Sequence, residues 1–360
     1  MEALQVSEGF TVKSSVHNYH IIFVQDFKDT LNEKVEKGDV IIIDKKVSKL
    51  YGGEFRSFLE KNKAIYLEAH EQQKSYLGIA PVIETLIQHG FKKNNKLIAI
   101  GGGIIQDVVA FLSQNMYRGV EWLFLPTTLL AQADSCIGGK SSINFGEYKN
   151  QLGNFYPPND IIIDANFLKT LSENDIRSGL GEMMHFFVLS SEEDFHFIHN
   201  RYERSLMDFS VTQELIHRSL EIKKATIEID EFDKKERQIF NYGHSFGHAL
   251  ESVTNYGVPH GIAVCHGMDI ANYLSMQLGY VDQEFRDQVR ALLSLNWRKD
   301  ELGEVDVDKF VNALKKDKKN VGNEVRVILT RGFGNMFKTG VDVDGEAGKH
   351  IHNYFKEELY

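Results

Sequence analysis

The sequence predicts an α/β protein of two domains, a parallel-sheet domain over residues 1–170 and an all-helical domain over residues 171–360. Three observations predict it. Short β-branched runs alternate with helical patterns up to about residue 164, as in a parallel sheet whose strands are joined by helices. Beyond about residue 170 long helical stretches take over. A chain of 360 residues is also long for one core and suits two domains.

The strand runs are residues 20–24, 40–43, 64–67, 96–100, 120–125 and 161–164, each bounded by polar residues. Helical periodicity is clear over residues 77–89, where Leu77, Ala80, Ile83, Leu86 and Ile87 share a face. A further helix opens at Gly101-Gly102-Gly103 and runs to about Met116, which makes the first domain Rossmann-like. In the second half, helices are expected at residues 175–190, 193–209, 212–230, 244–252 and 260–278. There is no internal repeat and no low-complexity tract.

A hydrophobic fraction of 42% and a charged fraction of 26% describe a soluble globular protein. The net charge of -10 and pI near 5.8 argue against a nucleic-acid or anionic-membrane binder. Two cysteines, Cys136 and Cys265, without a C-x-x-C pair give no disulfide framework and fit a reducing cytoplasm. No signal-peptide pattern opens the sequence, and no apolar run approaches the ~20 residues of a membrane span. The expectation is a cytoplasmic protein acting on a small molecule.

The densest stretch is Asn241-Tyr242-Gly243-His244-Ser245-Phe246-Gly247-His248, followed by His260-Gly261. His244 and His248 lie one helical turn apart on one side, and His260 follows a short turn-forming stretch. Three imidazoles so placed can hold a divalent cation such as zinc. For an isolated H-x-x-x-H a solvated helix face is the commoner explanation. Here Gly243, Gly247 and Gly261 accompany the histidines, at ~1 kcal/mol per helical glycine, which points to close approach of something to the backbone.

Gly101-Gly102-Gly103 follows a strand and opens a helix, where backbone N–H groups and the helix dipole favour a phosphate, although a plain tight turn is equally consistent. Thr127-Thr128 offers two hydroxyls at a strand end or a helix cap. Gly138-Gly139-Lys140-Ser141 resembles the tail of a P-loop, but Asp134 stands where that motif requires glycine, so Lys140 reads only as an anion contact. Glu182 and His185 stand three apart on a helix, a spacing used by metal sites, though an exposed pair is more usual. Lys223, Arg237 and Asn241 precede the histidine helix, and the default reading of the lysines at 315–319 is a solvated helix end.

Taken in order, Gly101-Gly102-Gly103 with Asp107, Arg118-Gly119, Pro126-Thr127-Thr128-Leu129-Leu130-Ala131-Gln132 with Asp134-Ser135, Gly138-Gly139-Lys140, Lys149-Asn150, Gly179-Leu180-Gly181-Glu182 and the histidine motif closely resemble the 3-dehydroquinate synthase family of sugar phosphate cyclases. The resemblance spans about residues 70 to 330. It implies that one secondary alcohol of a heptulosonate phosphate is oxidised by bound NAD, so that the neighbouring C–H becomes acidic and phosphate is eliminated. The hydride then returns, the ring opens, and an intramolecular aldol reaction closes a carbocycle, with no net redox change. A divalent metal, zinc or cobalt, would serve as Lewis acid and template.

By resemblance the metal ligands are Glu182, His244 and His260, with His248 moved from metal to substrate. Substrate and phosphate contacts are Asp134, Lys140, Asn150, Lys223, Arg237, Asn241, His248 and Lys318 or its neighbour Lys319. Arg118 reaches the neighbouring subunit's site, which implies a homodimer. NAD contacts are Asp44, Glu71, Lys74, Gly102, Gly103, Asp107, Thr127, Thr128, Lys149, Thr170 and Leu171. The implied pathway is aromatic amino acid (shikimate) biosynthesis.

Three positions depart from the family pattern. His185 stands where lysine is usual and joins the candidate catalytic set, Gln106 where a small residue is usual, and Ile262 where glutamate is usual. Relatives acting on other sugar phosphates differ at such positions, so a cyclase using another ketose or hexose phosphate is the alternative. Lys223, Arg237 and Asn241 speak for a carboxylate-bearing substrate, and His185 speaks the other way. A metal-dependent polyol dehydrogenase has no use for the Lys140, Lys149, Asn150 and Arg237 set, and a non-catalytic nucleotide binder has none for the metal triad.

Overall fold

The computed structural model describes residues 9–146, 148–298, 301–316 and 324–358. Lys318, one of the expected substrate contacts, lies outside them. The chain divides into two compact units, Met1–Ser172 with Met207–Phe232, and Glu173–Leu206 with Asp233–Tyr360. A single cut at residue 170 therefore misses one excursion, in which the helix Phe209–Ile227 belongs with the first unit.

The first unit is built on strands β1 (Phe10–Val12), β2 (Tyr19–Val24), β3 (Val40–Asp44), β4 (Lys63–Leu67), β5 (Leu97–Gly101), β6 (Trp122–Pro126), β7 (Ile143–Phe145), β8 (Tyr148–Leu152) and β9 (Asp160–Asp164). Seven of them form one sheet in the order β1-β2-β9-β6-β5-β3-β4, parallel throughout except for β1 against β2. The runs Val40–Ile43, 97–101 and 122–126 are buried along their whole length, which is why they read as unbroken apolar stretches and not as alternation. On one face Phe27, Phe55 and Phe167 pack ring against ring at 4.7 to 6.2 Å over Ile41, Ile43, Ile98 and Ile100. β7 and β8 form a separate antiparallel hairpin.

The second unit is helical, with one addition to the expected all-helical domain. Strands β10 (Val325–Thr330) and β11 (Met336–Val341) pair as an antiparallel hairpin. The helix expected over residues 193–209 is broken, with separate helices at Glu192–His199 and Tyr202–Ser205. The carboxylate of Asp208 then accepts from Ser210 N and starts the next helix instead of continuing the last.

The glycines of the histidine motif serve helix packing. A Cβ on Gly261 would lie 1.8 Å from the Ser178 carbonyl oxygen, and one on Gly267 would lie 2.0 Å from that of Gly243. Helix Glu173–Ser190, helix His244–Val253 and helix His260–Gln277 thus touch backbone to backbone at these points. The close approach to the backbone that these glycines imply is made by another helix of the protein. Gly243 has a second reason, since its φ of +75° at the head of the histidine helix is the left-handed region.

Candidate functional site

Close helix packing brings three donor atoms of the second unit together. Glu182 Oε1 lies 2.9 Å from His260 Nε2 and 3.4 Å from His244 Nε2. All three lie within 4.8 Å of one another. Glu182 is buried, yet its Oε1 has no hydrogen bond of acceptable geometry despite these short distances.

The other ring nitrogens have partners of their own. His244 Nδ1 is 3.2 Å from the Tyr242 carbonyl oxygen, and His260 Nδ1 is 3.2 Å from Glu251 Oε1. In the neutral tautomer that donates Nδ1–H outward, each Nε2 would turn a lone pair toward Glu182, the arrangement of histidines that bind a metal and are braced from behind. Two imidazole lone pairs and a carboxylate oxygen facing one point fit a divalent cation. Burial alone would push the Glu182 carboxyl up, but the two imidazoles outweigh it and hold it well below the usual range. Burial would likewise lower His260, and the Glu182 and Glu251 carboxylates instead raise it to about 10. A cation would replace the protons that satisfy this cluster without it.

Among the remaining second-unit residues, His248 and His185 border this group. His248 is exposed and stacks on His260 at 5.6 Å. Its imidazole also belongs to a second possible grouping with Glu251 and His260. His185 is fully buried, its ring edge-on to His244 at 4.9 Å and stacked with Tyr242 at 6.1 Å. Glu182 and His185 are therefore not an exposed pair. Arg237 is buried, and Asn241 donates from Nδ2 to the Gln238 carbonyl at 2.9 Å. Ile262 is fully buried in the first turn of the helix His260–Gln277. Glu251 was not anticipated as a site residue. Its signal is spacing, since it lies seven residues after His244 and shares that face of the helix.

The first unit carries the other set. Gly102 caps the helix Gly103–Asn115 at the end of β5, and a Cβ on Gly103 would meet nothing within 4 Å, so that helix start is open. Asp44 closes the adjacent β3 and accepts from Lys46 N at 2.8 Å. Lys74 Nζ pairs with Asp107 Oδ2 at 2.7 Å, and the Ser142 amide donates to Asp107 Oδ1 at 2.9 Å. Glu71 Oε1 accepts from Asn144 at 2.7 Å. Thr127 N donates to the Gly101 carbonyl, and Thr128 Oγ1 accepts from Ala131 N at 3.2 Å, so Thr128 does act as a helix cap. Thr170 Oγ1 shares a hydrogen bond with Tyr51 at 3.0 Å, and Leu171 N donates to the Leu168 carbonyl. Lys149 stands exposed on β8.

Of the expected substrate contacts in this unit, Lys223 and Asp134 meet directly, Nζ to Oδ1 at 2.7 Å, with the lysine almost fully buried. Asn150 takes a φ of +55° and its Oδ1 accepts from Ser142 Oγ at 2.6 Å. Lys140 is exposed, 5.9 Å from the Phe155 ring, and Arg118 sits at an exposed turn with φ of +65°.

Comparison with known proteins fixes the family. Residues 64–178 match the 3-dehydroquinate synthase N-terminal family and residues 179–320 match its C-terminal family. A 3-dehydroquinate synthase of Alkaliphilus metalliredigens is 32% identical over 335 residues, covering 91% of this chain and 94% of that protein. The chain belongs to the 3-dehydroquinate synthase family. It is also 36% identical over 332 residues to the bifunctional 3-dehydroquinate synthase/phosphatase of Fusobacterium nucleatum, of which it spans 50% of the length. In fold it is similar to a 2-deoxy-scyllo-inosose synthase solved with carbaglucose-6-phosphate, NAD+ and Co2+, at a TM-score of 0.85 and 20% identity, covering 97% of this chain and 100% of that one. Among the described residues no helix is long and apolar enough to cross a membrane.

Proposed function

We propose that this family member is a sugar phosphate cyclase that eliminates phosphate from a heptulosonate phosphate and closes the carbocycle by an intramolecular aldol reaction, redox-neutral overall. The observation that carries the proposal is the convergence of Glu182 Oε1, His244 Nε2 and His260 Nε2, with both Nδ1 atoms engaged elsewhere. When bound, a zinc or cobalt ion supplies Lewis acidity and NAD supplies a hydride acceptor that is restored in each turnover.

The chain's own residues then bind and orient. Glu182, His244 and His260 hold the cation, and the helix start at Gly102 and Gly103, open at Gly103, receives the dinucleotide phosphates. Asp44, Glu71, Lys74, Asp107, Thr127, Thr128, Lys149, Thr170 and Leu171 complete the NAD contacts. Lys140, Asn150 and Arg118 take the substrate phosphate, Arg118 from a neighbouring subunit of a homodimer. Lys223, Arg237 and Asn241 take a carboxylate, and guanidinium suits either anion in bidentate fashion. Asp134, with Lys223 on Oδ1, offers Oδ2 to a substrate hydroxyl, and His248 faces the substrate from the histidine helix. The proposal places the enzyme in the cytoplasm and in aromatic amino acid biosynthesis.

One observation favours a second reading. His185 fills the position usual for lysine with a fully buried ring packed on Tyr242 and His244. A long flexible ammonium is thereby replaced by a short, fixed imidazole, which suits a different polar substituent on the substrate. The test is phosphate release by purified protein with NAD and zinc or cobalt. The substrates are 3-deoxy-arabino-heptulosonate 7-phosphate, sedoheptulose 7-phosphate and glucose 6-phosphate. Release from the first alone supports the proposal. Release from another substrate moves the enzyme to the second reading, and release from none refutes both. His185→Lys should raise activity on the first substrate if His185 sets recognition, and an unchanged profile disposes of that role.

A further inference from the structure

We infer that Gln106 is a positioning residue that fixes the Asp134–Lys223 pair by clamping the turn that carries Asp134. Residues 131–135 form a wide helical turn in which Cys136 N donates to the Ala131 carbonyl, five residues back, at 3.1 Å. Such turns leave carbonyls without regular intrahelical partners, and they recur at functional sites.

Here three successive carbonyls each receive a side-chain donor. Ser219 Oγ donates to the Ala133 oxygen at 2.9 Å, Lys223 Nζ to the Asp134 oxygen at 2.6 Å, and Gln106 Nε2 to the Ser135 oxygen at 2.5 Å. Gln106 also accepts through Oε1 from Ser135 Oγ at 2.6 Å, so its amide is bonded at both ends to one residue. Gln106 is 4% exposed, and no solvent competes for those bonds.

The clamp has a direction. Gln106 belongs to the helix that opens at the Gly102 cap, and its own N–H donates to the Gly102 carbonyl. Ser135 follows Asp134 immediately. The side chain therefore ties the first turn of the glycine-capped helix to the residue beside Asp134, while Lys223 holds Asp134 from the helix Phe209–Ile227. A small residue at 106 would leave the Ser135 carbonyl and hydroxyl to other partners, and Asp134 would then be held by Lys223 alone. The inference rests on the reading that Asp134 contacts substrate.

The test is a double-mutant cycle between Gln106→Leu, which keeps the volume and removes both bonds, and Asp134→Asn, with wild-type phosphate release established first. The Gln106→Leu enzyme should keep NAD affinity and kcat within about twofold and lose about 10-fold in KM, the range of couplings seen between contacting sites. In the Asp134→Asn background the same change should cost little. Multiplicative losses would show that Gln106 acts independently of Asp134 and overturn the inference, as would an unchanged KM. Should Gln106→Leu fail to fold, Ser135→Ala removes one bond of the clamp and is read in the same cycle. Absence of phosphate release by the wild type would instead refute the functional proposal.

Discussion

Glu251 braces His260, a proposed metal ligand, from behind, and changing it should weaken metal binding without touching the three donor atoms. Its Oε1 stands 3.2 Å from His260 Nδ1, while Nε2 of the same ring stands 2.9 Å from Glu182 Oε1. Glu251→Gln preserves the size of the side chain and an oxygen to accept the Nδ1 hydrogen, but removes the charge that makes the imidazole a stronger donor. Loss of such an outer partner typically costs 10- to 100-fold in metal affinity, or roughly 1.4 to 2.8 kcal/mol. Equilibrium competition for zinc with a chromophoric chelator measures it directly. The metal-free Glu251→Gln protein should melt somewhat below the metal-free wild type at neutral pH, because the carboxylate also holds the protonated His260, and Glu251→Ala should lose more zinc affinity than Glu251→Gln. A zinc affinity for Glu251→Gln within twofold of wild type would refute the reasoning.

Asp134→Ala leaves the nearly buried Lys223 ammonium without its carboxylate and should cost about 3 kcal/mol in urea unfolding, part of it restored by adding Lys223→Met. Asp107 should make stability pH-dependent, because burial, only partly offset by Lys74, raises its carboxyl from 3.8 to about 6. A carboxyl with a raised folded pKa favours folding while protonated. Its contribution of about 3 kcal/mol at most is full below roughly pH 4 and is lost as pH rises through about 6. Thermal melts from pH 4 to 7 should show that slope in the wild type and its flattening in Asp107→Asn. Gly261→Ala places a methyl 1.8 Å from the Ser178 carbonyl, and the strain should lower stability by about 3 kcal/mol or abolish folding, read by urea titration. Chelation should abolish phosphate release, and zinc or cobalt should restore it.

The strands of the parallel sheet were legible because burial on both faces writes them as runs such as Val40-Ile41-Ile42-Ile43. The hairpin of β10 and β11 was not anticipated, although Val325–Thr330 is rich in β-branched residues and Gly332 and Gly334 follow it. A two-stranded ribbon in a helical half gives too short a signal to stand out. The excursion of residues 207–232 into the first unit depends on Lys223 and Ser219 finding Asp134 and Ala133, which no local pattern encodes. At the candidate metal site, the local motif selects His244 and His248 by helical spacing and His260 by the turn before it. Spacing offers Glu182 only as a pair with His185, and the family resemblance is what joins it to His244 and His260, because its helix lies some sixty residues earlier and meets the others through the Gly181 and Gly261 contact. Glu251 was written at the right spacing in the motif itself. Recognising its role required the orientation of the His260 ring.

The most direct test of the central claim is the stoichiometry of phosphate and NADH, followed together in one reaction of the zinc- or cobalt-loaded protein with NAD and 3-deoxy-arabino-heptulosonate 7-phosphate. The account predicts many phosphates released per enzyme with no net NADH, and loss of that release in Glu182→Gln, His244→Ala and His260→Ala. NADH accumulating in step with substrate loss, without phosphate, would contradict it and make the protein a dehydrogenase.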